Sequence, residues 1–347
     1  MSYPTNLTAH IQTTIHNIQK NDFSLADKQL NGMINAHPNH LQLWYLKSIT
    51  TYSLGRFADS EFCINKVLTI DPNHIPTLAN LAKLQKRHNF FNEAISTYKK
   101  IISISKNNLE ALFNLGVTLN LVADYEQAEL YLEKAYKKDK NNINTTVAYG
   151  QSLLNQDKNQ QALTLFESVL SKAPDNLAAL NNRGIALKKL CHWDKAIDCL
   201  SYALTISPKQ IEIIKNLASC YTLTGHFEKS KSLYLEAISL NELDKDAHHW
   251  LNKQLWENKD PEFLSSYRAT LKKHPNATEL LFDMGHKLHQ ANDFTKAKST
   301  LEQAVKSNKN HTPSIVELGV VLRELNELEK SQEIIQQAYA QNKNNLT

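Results

Sequence analysis

The chain has 347 residues, of which 41% are hydrophobic and only 8 are glycine and 9 proline. So few breakers leave little material for strand-rich turns or glycine-built phosphate loops, and a mostly helical protein is expected. The balance of 39 basic against 35 acidic residues, a net +4, is too mild and too scattered to make nucleic acid the default partner.

Residues 1–6 read as a short tail, and a repeated pattern runs from residue 7 to residue 347. Its first seven segments begin near Leu7, Leu41, Ile75, Leu109, Ile143, Leu177 and Ile211, each 34 residues after the last. Three more begin near Asp244, Thr278 and Thr312, so the spacing slips by one residue once, at Asp244. Each segment opens on an apolar residue with another three later, as in Leu109 and Leu112 or Leu177 and Leu180. An apolar residue beside a small one follows, as in Leu81-Ala82, Leu115-Gly116, Tyr149-Gly150 and Met284-Gly285. That spacing draws one stripe along one helix face.

A turn comes next, marked by Gly55 and Gly225, and then a second helix with a recurring small residue. The small residues are Ala26, Ser60, Ala94, Ala128, Ala162, Ala196, Ser230, Ala297 and Ser331. A small side chain at a fixed place means that two helices approach closely there. Pro38, Pro72, Pro174, Pro208 and Pro275 fall where a second helix must stop, while Pro76, Pro261 and Pro313 fall in a first helical turn. Such helix–turn–helix repeats cannot bury their apolar faces alone, so ten of them are expected to stack as one solenoid domain over residues 7–347.

The grammar resembles the tetratricopeptide repeat. The segment from Leu177 shows the pattern as Leu180, Arg183-Gly184, Leu187, Ala196, Leu200, Ala203 and Pro208, and the segment from Leu41 carries Trp44, Val67 and Pro72. The segment from Asp244 departs, with Phe263 where a small residue is expected. The resemblance implies an all-α fold, a right-handed α-solenoid superhelix of about ten repeats. In that family the first helices line a concave groove, here expected to be long and without an enclosed pocket.

No glycine-rich phosphate loop, GxSxG elbow or HExxH motif occurs, so no enzyme activity and no cofactor are expected. Only Arg56, Arg87, Arg183, Arg268 and Arg323 are arginines, which weakens nucleic-acid recognition further. Cys63, Cys191, Cys199 and Cys220 form no CxxC pair and read as reduced, buried residues. The first twenty residues lack the apolar run of a signal peptide, and no stretch approaches a membrane span, so a cytoplasmic protein without a membrane partner is expected. His248, His249, Asp283, His286 and His289 are all expected to face the groove. Among them His249, Asp283 and His286 form a candidate divalent-metal set, the alternative being solvated polar side chains.

The groove reading centres on the sixth residue of the first helix, which points away from the stack. Asn80, Asn114, Asn182 and Asn216 stand there, with Ala148 interrupting. Asparagine is a mediocre helix former, so four at one place ask for a reason. The repeat region of O-GlcNAc transferases, which this chain resembles, carries an asparagine ladder at the equivalent place, and an amide can pair with a peptide bond whatever its sequence. The alternative is that the chain is simply rich in asparagine. Lys83, Lys86, Lys188 and Lys215 flank these residues and favour an acidic, extended peptide or protein partner.

The expected function is a non-catalytic interaction scaffold. The alternative is the recognition region of a larger enzyme. His248-His249-Trp250-Leu251-Asn252, Leu255-Trp256-Glu257 and Phe263-Leu264-Ser265-Ser266-Tyr267 resemble bacterial repeat proteins, some of which continue into an iron- and 2-oxoglutarate-dependent oxygenase domain. Solenoids usually end on a polar cap, and Asn344-Asn345-Leu346-Thr347 supplies none, so the natural protein is expected to continue beyond Thr347.

Overall fold

The computed structural model describes residues 7–343, with side chains as far as residue 336. The expected tail at residues 1–6 and the chain end at 344–347 lie outside the described residues. All regular structure described is helical, as the scarcity of glycine and proline requires. Helices come in consecutive pairs that divide between two compact segments, Met1–Lys172 and Ala173–Thr347.

In the first segment the pairs are α1 (Leu7–Gln19) with α2 (Phe23–Ala36), α3 (Leu41–Ser53) with α4 (Phe57–Ile70), and α5 (Ile75–Arg87) with α6 (Phe91–Ile104). They continue with α7 (Leu109–Leu121) and α8 (Tyr125–Lys138), then α9 (Ile143–Asn155) and α10 (Asn159–Leu170). In the second segment α11 (Leu177–Lys189) pairs with α12 (Trp193–Ile206), α13 (Ile211–Leu223) with α14 (Phe227–Leu240), and α15 (Lys245–Glu257) with α16 (Ser265–Lys273). The last pairs are α17 (Thr278–Gln290) with α18 (Phe294–Ser307) and α19 (Thr312–Glu324) with α20 (Leu328–Lys343). No described helix is long and apolar enough to cross a membrane.

Local chemistry sets the ends of these helices. Asn108, Asn142 and Asn176 open α7, α9 and α11, each accepting a hydrogen bond from the N–H three residues on at 2.9–3.0 Å. Each satisfies one of the donors a helix start leaves free. Every first helix closes through a residue in the left-handed region at the fifteenth place of its repeat. These are Asn21, Gly55, Asn89, Ala123, Asp157, Cys191, Gly225, Lys259, Asn292 and Asn326, with φ between 54° and 76°. Glycine adopts this conformation freely and Asn or Asp tolerates it, whereas Ala123, Cys191 and Lys259 hold it against their own preference. Three of the four cysteines are buried as expected, but Cys191 is exposed because it sits in this turn.

The helices of a pair cross where both carry small residues. Ala26, Ala94, Ala128, Ala162, Ala196 and Ala297 are fully buried there. Where serine replaces alanine it donates to the facing helix: Ser60 Oγ reaches the Ser48 carbonyl at 2.9 Å and Ser331 Oγ the Gly319 carbonyl at 2.6 Å. Closeness is the reason for glycine at the partner position. A Cβ added to Gly150 would lie 2.5 Å from Phe166 Cε1, well inside contact distance. The core of the first segment gathers Leu78, Ala82, Tyr98, Leu115 and Leu132, and that of the second gathers Leu264, Tyr267, Leu288, Leu301 and Leu318.

One repeat corrects the sequence register. The helix expected to begin near Asp244 begins at Lys245, with Asp244 as its cap accepting from Ala247 N–H at 2.8 Å. The full 34-residue spacing from Ile211 is therefore kept, and the missing residue falls before Thr278 instead. The deletion shortens the second helix. Pro261 lies in a turn rather than in a first helical turn, and α16 starts only at Ser265 and runs for 9 residues. The small-residue position is occupied by Leu264, not Phe263; Leu264 is 1% exposed with φ of 66°.

Buried polar groups replace the usual close crossing here. Asn252 Oδ1 accepts from the Leu264 N–H at 2.7 Å, and its Nδ2 donates to Ser266 Oγ at 2.7 Å and to the His248 carbonyl at 2.8 Å. His248 adds contacts to Ser266 Oγ and to the Glu242 carbonyl, each at 3.0 Å. The network satisfies the backbone that a truncated helix would otherwise leave unpaired.

Candidate functional site

The apolar stripe of α5 turns Leu78 and Ala82 into the core, which leaves Asn80 and Lys83 on the other side of the helix and Lys86 on the flank of the stripe. Asn80 is half-buried, and its Nδ2 has no hydrogen-bond partner among the described residues. It borders a cleft of about 320 Å³ lined also by Tyr45, Ile75, Tyr98, Glu110 and Ala111. Tyr98 comes to this cleft from α6. It is 1% exposed, and its Oη likewise has no partner. Burial, with the Glu110 charge adding to it, holds the phenol protonated far above its usual range. The cleft thus presents two buried donors that lack an acceptor.

Sequence reasoning missed Tyr98, although a signal existed. The same place in other second helices holds Leu30, Ile64, Leu132, Phe166 and Leu200, so a tyrosine there puts a hydroxyl into an apolar register. Tyr234 stands at the equivalent place in α14, and its hydroxyl is bonded to Thr222. Tyr98 has no such neighbour.

The flanking lysines divide into two kinds. Lys86 is half-buried, makes no ion pair among the described residues, and has its pKa lowered by burial and then by Lys83. Lys188 is also half-buried; burial lowers its pKa, and among the described residues its Nζ reaches the Ser219 hydroxyl at 3.3 Å. Lys83 lies 3.3 Å from Glu110 with both side chains exposed, so the pairing is weak. Lys215 is spoken for: it contacts Glu212 at 2.9 Å and Asp244 at 3.0 Å. Burial opposes its charge, but hydrogen bonds to Glu212 and Asp244 outweigh that and raise its pKa. The expectation that Lys215 steers an acidic peptide therefore does not suit its surroundings.

The other asparagines of the expected ladder are half-buried but differently engaged. Asn114 Nδ2 donates to the Glu110 carbonyl one turn earlier at 2.9 Å. In the second segment Asn216 Nδ2 donates to Asn181 Oδ1 at 2.9 Å, and Asn182 lies beside Asn181 on α11. Asn80 alone among the four leaves a buried amide nitrogen without a partner.

The histidine expectation needs two corrections. The register at Lys245 moves His248 into the buried stripe, so it is 0% exposed, stacks on Tyr267 with ring centroids 5.1 Å apart, and does not face the groove. Burial lowers its pKa. The set His249, Asp283 and His286 does not assemble either. His249 Nδ1 lies 3.1 Å from Asp283 Oδ1, and Tyr267 Oη donates to Oδ2 of the same carboxylate. His286 turns to the following first helix instead, and both His286 Nδ1 and His289 Nδ1 lie 2.7 Å from Glu317 Oε1. Glu317 was not foreseen, because its partners sit a whole repeat away in sequence. A second cleft, of about 340 Å³, opens nearby between Asp246, His249, Trp250, Glu279 and Phe282, and carboxylates dominate its charge.

Family models described as tetratricopeptide repeat match residues 41–74, 123–183, 212–242 and 278–311. No curated protein matches the sequence. Among solved structures, a tetratricopeptide repeat protein from Parabacteroides merdae is similar at 14% identity with a TM-score of 0.58, over 72% of this chain and 98% of that one. Yeast Tom70 is similar at 13% identity and a TM-score of 0.56, over 95% of this chain and 84% of its own. The C-terminal part of a repeat-containing protein from Cytophaga hutchinsonii is similar at 15% identity and a TM-score of 0.53, over 68% of this chain and 97% of that one. At such identities these likenesses speak for the fold alone. Repeat pattern, helix pairing and family match agree that the chain carries tetratricopeptide repeats.

Proposed function

We propose that the chain is a non-catalytic interaction module whose first segment holds an extended, acidic peptide across α3, α5 and α7. Tetratricopeptide repeats generally serve as protein-interaction modules. The observation that carries the finer reading is the pair of buried donors, Asn80 Nδ2 and Tyr98 Oη, lining one cleft without an acceptor. A buried donor left unpaired is costly, and a peptide carbonyl or carboxylate oxygen entering the cleft satisfies it. The half-buried ammonium of Lys86 supports an acidic rather than a basic segment, since a carboxylate offsets the desolvation that depresses it.

The alternative of a recognition region within an oxygenase or glycosyltransferase-like enzyme has no observation among the described residues of either segment that favours it. The test is a titration of the chain with short extended peptides of matched length, acidic, neutral and basic, followed by fluorescence polarisation. Acidic peptides are expected to bind most tightly and to weaken as salt rises. Asn80→Ala and Tyr98→Phe should each weaken binding by about three- to tenfold, the worth of one hydrogen bond. Equal affinity for acidic and basic peptides, or unchanged affinity in the double variant, would overturn the reading.

A further inference from the structure

We propose that His286, His289 and Glu317 form a site for a divalent transition-metal ion of the zinc type, open on the side away from the helix packing. The two histidines lie three residues apart on α17 and so share one face of the helix. Glu317 approaches them from α19. The three ligand atoms all lie within 4.8 Å of one another, and this is the only such group of three among the described residues. Two imidazoles and one carboxylate are a donor set that suits zinc and its neighbours rather than magnesium or calcium, which prefer oxygen throughout.

At the carboxylate little movement is needed to admit the ion. Both Nδ1 atoms lie 2.7 Å from the same Glu317 oxygen. Metal–ligand bonds of about 2.0–2.1 Å at tetrahedral angles place donor atoms about 3.3 Å apart. Each contact therefore opens by roughly half an ångström, within the reach of small side-chain rotations. The surroundings hold the ligands in place. Phe282 stacks on the His286 ring with centroids 6.2 Å apart, and Phe294 packs beside His289 at 5.8 Å. Gln290 Nε2 lies 2.9 Å from His286 Nε2. With the ion on Nδ1, His286 Nε2 carries its proton, and a turn of the Gln290 amide brings its oxygen round to accept it, the outer contact that usually orients a ligating histidine. Lys287 is the opposing charge, and Asp283 acts on it electrostatically with the opposite sign.

Three protein ligands leave at least one position of the ion free. His286 and His289 occupy the same places in α17 that Lys83 and Lys86 occupy in α5, and Glu317 the place of Asn114 in α7. Water ordinarily fills such a position, and a donor group from a bound partner can displace it.

The experiment is isothermal titration of zinc into chelator-treated full chain carrying Cys191→Ser, which removes the exposed thiol, with magnesium in parallel. A single zinc site with Kd of roughly 10 µM or tighter, no magnesium response and a raised Tm are expected. His289→Ala and Glu317→Gln should each weaken zinc by at least about tenfold, whereas His249→Ala should leave it unchanged. Should a variant fail to fold, proton–nitrogen spectra of the unmutated histidines decide: zinc must shift Nδ1 of His286 and His289. No zinc binding, undiminished binding in both ligand variants, or shifts confined to other histidines would overturn the proposal, since a plain His–Glu ion pair responds to none of these additions.

Discussion

The stretch α5 to α7 and the stretch α17 to α19 are built on one register, yet they present opposite chemistry. At the sixth, ninth and twelfth places of the leading helix the first carries Asn80, Lys83 and Lys86, and the second Asp283, His286 and His289. The apolar stripe and the small residues at the crossing are the same in kind: Leu78, Ala82 and Ala94 in one, Leu281, Gly285 and Ala297 in the other, all buried. Packing therefore fixes where the outward residues stand and leaves their chemistry free. In α5 they are an amide and two ammonium groups; in α17 they are a carboxylate matched to His249 and Tyr267 and two imidazoles matched to Glu317. The comparison also shows why one repeat can be damaged without loss of fold. The pair α5 and α6 crosses through two alanines, whereas α15 and α16 meet through Asn252 and Leu264, and the buried network around Asn252 takes over the role of close contact.

The largest effect should come from breaking that network. Asn252→Ala leaves the Leu264 N–H without its acceptor in a buried site and takes from the Ser266 hydroxyl one of its two partners, so the second segment should lose about 2–4 kcal/mol. Chemical denaturation measures the loss, and hydrogen exchange should quicken chiefly across residues 258–273. A loss under about 1 kcal/mol would mean that the network is not what holds α16 in place.

Outward chemistry that packing leaves free can be transplanted from one stretch to the other. The triple change Lys83→His, Lys86→His and Asn114→Glu gives α5 and α7 the donor set of α17 and α19. The variant should gain a second zinc site and lose about tenfold in affinity for acidic peptides, about 1.4 kcal/mol. Titration calorimetry reads both, and a variant with unchanged peptide affinity would show that the lysines do not take part.

A pH effect of similar size should be confined to the second segment. His248 is buried with a lowered pKa, so the unfolded chain takes up its proton first as pH falls. Its contribution is fully present above the ordinary value of 6.5 and is lost as pH drops below it. The slope should approach about 1.4 kcal/mol per pH unit in that window. The ion pair of His286 with Glu317 acts in the opposite sense: hydrogen bonding to Glu317 raises the pKa of His286, so its stabilising effect fades as pH rises. Comparing the parent with His248→Gln isolates the first effect, and equal slopes would refute it.

The smallest effect is expected from Tyr98→Phe without any partner present. Removing a buried hydroxyl that bonds to nothing should leave stability unchanged or raise it by up to about 1 kcal/mol. A clear loss in thermal denaturation would mean that the hydroxyl has a structural partner. Tyr234→Phe, which deletes a hydroxyl bonded to Thr222, should instead destabilise modestly.

Much of the fold was legible in the chain because it is periodic. Apolar spacing of three and four marks a helix face, a small residue recurring every 34 positions marks a crossing, and ten copies leave little choice of architecture. What the apolar pattern could not place was the missing residue. Near Asp244 both registers put apolar residues on the stripe, and the decision fell to the cap on Asp244 and the left-handed turn at Lys259. That single step sent His248 into the core and left His249 outside. The outward chemistry was legible only as residue types. Whether a lysine is free depends on which carboxylate the next helix brings, as Asp244 does for Lys215. Whether a hydroxyl is satisfied depends on the facing helix, which supplies Thr222 to Tyr234 and nothing to Tyr98. Pairing between groups a repeat apart is set by the distance and angle between packed helices, and only the tertiary structure fixes those.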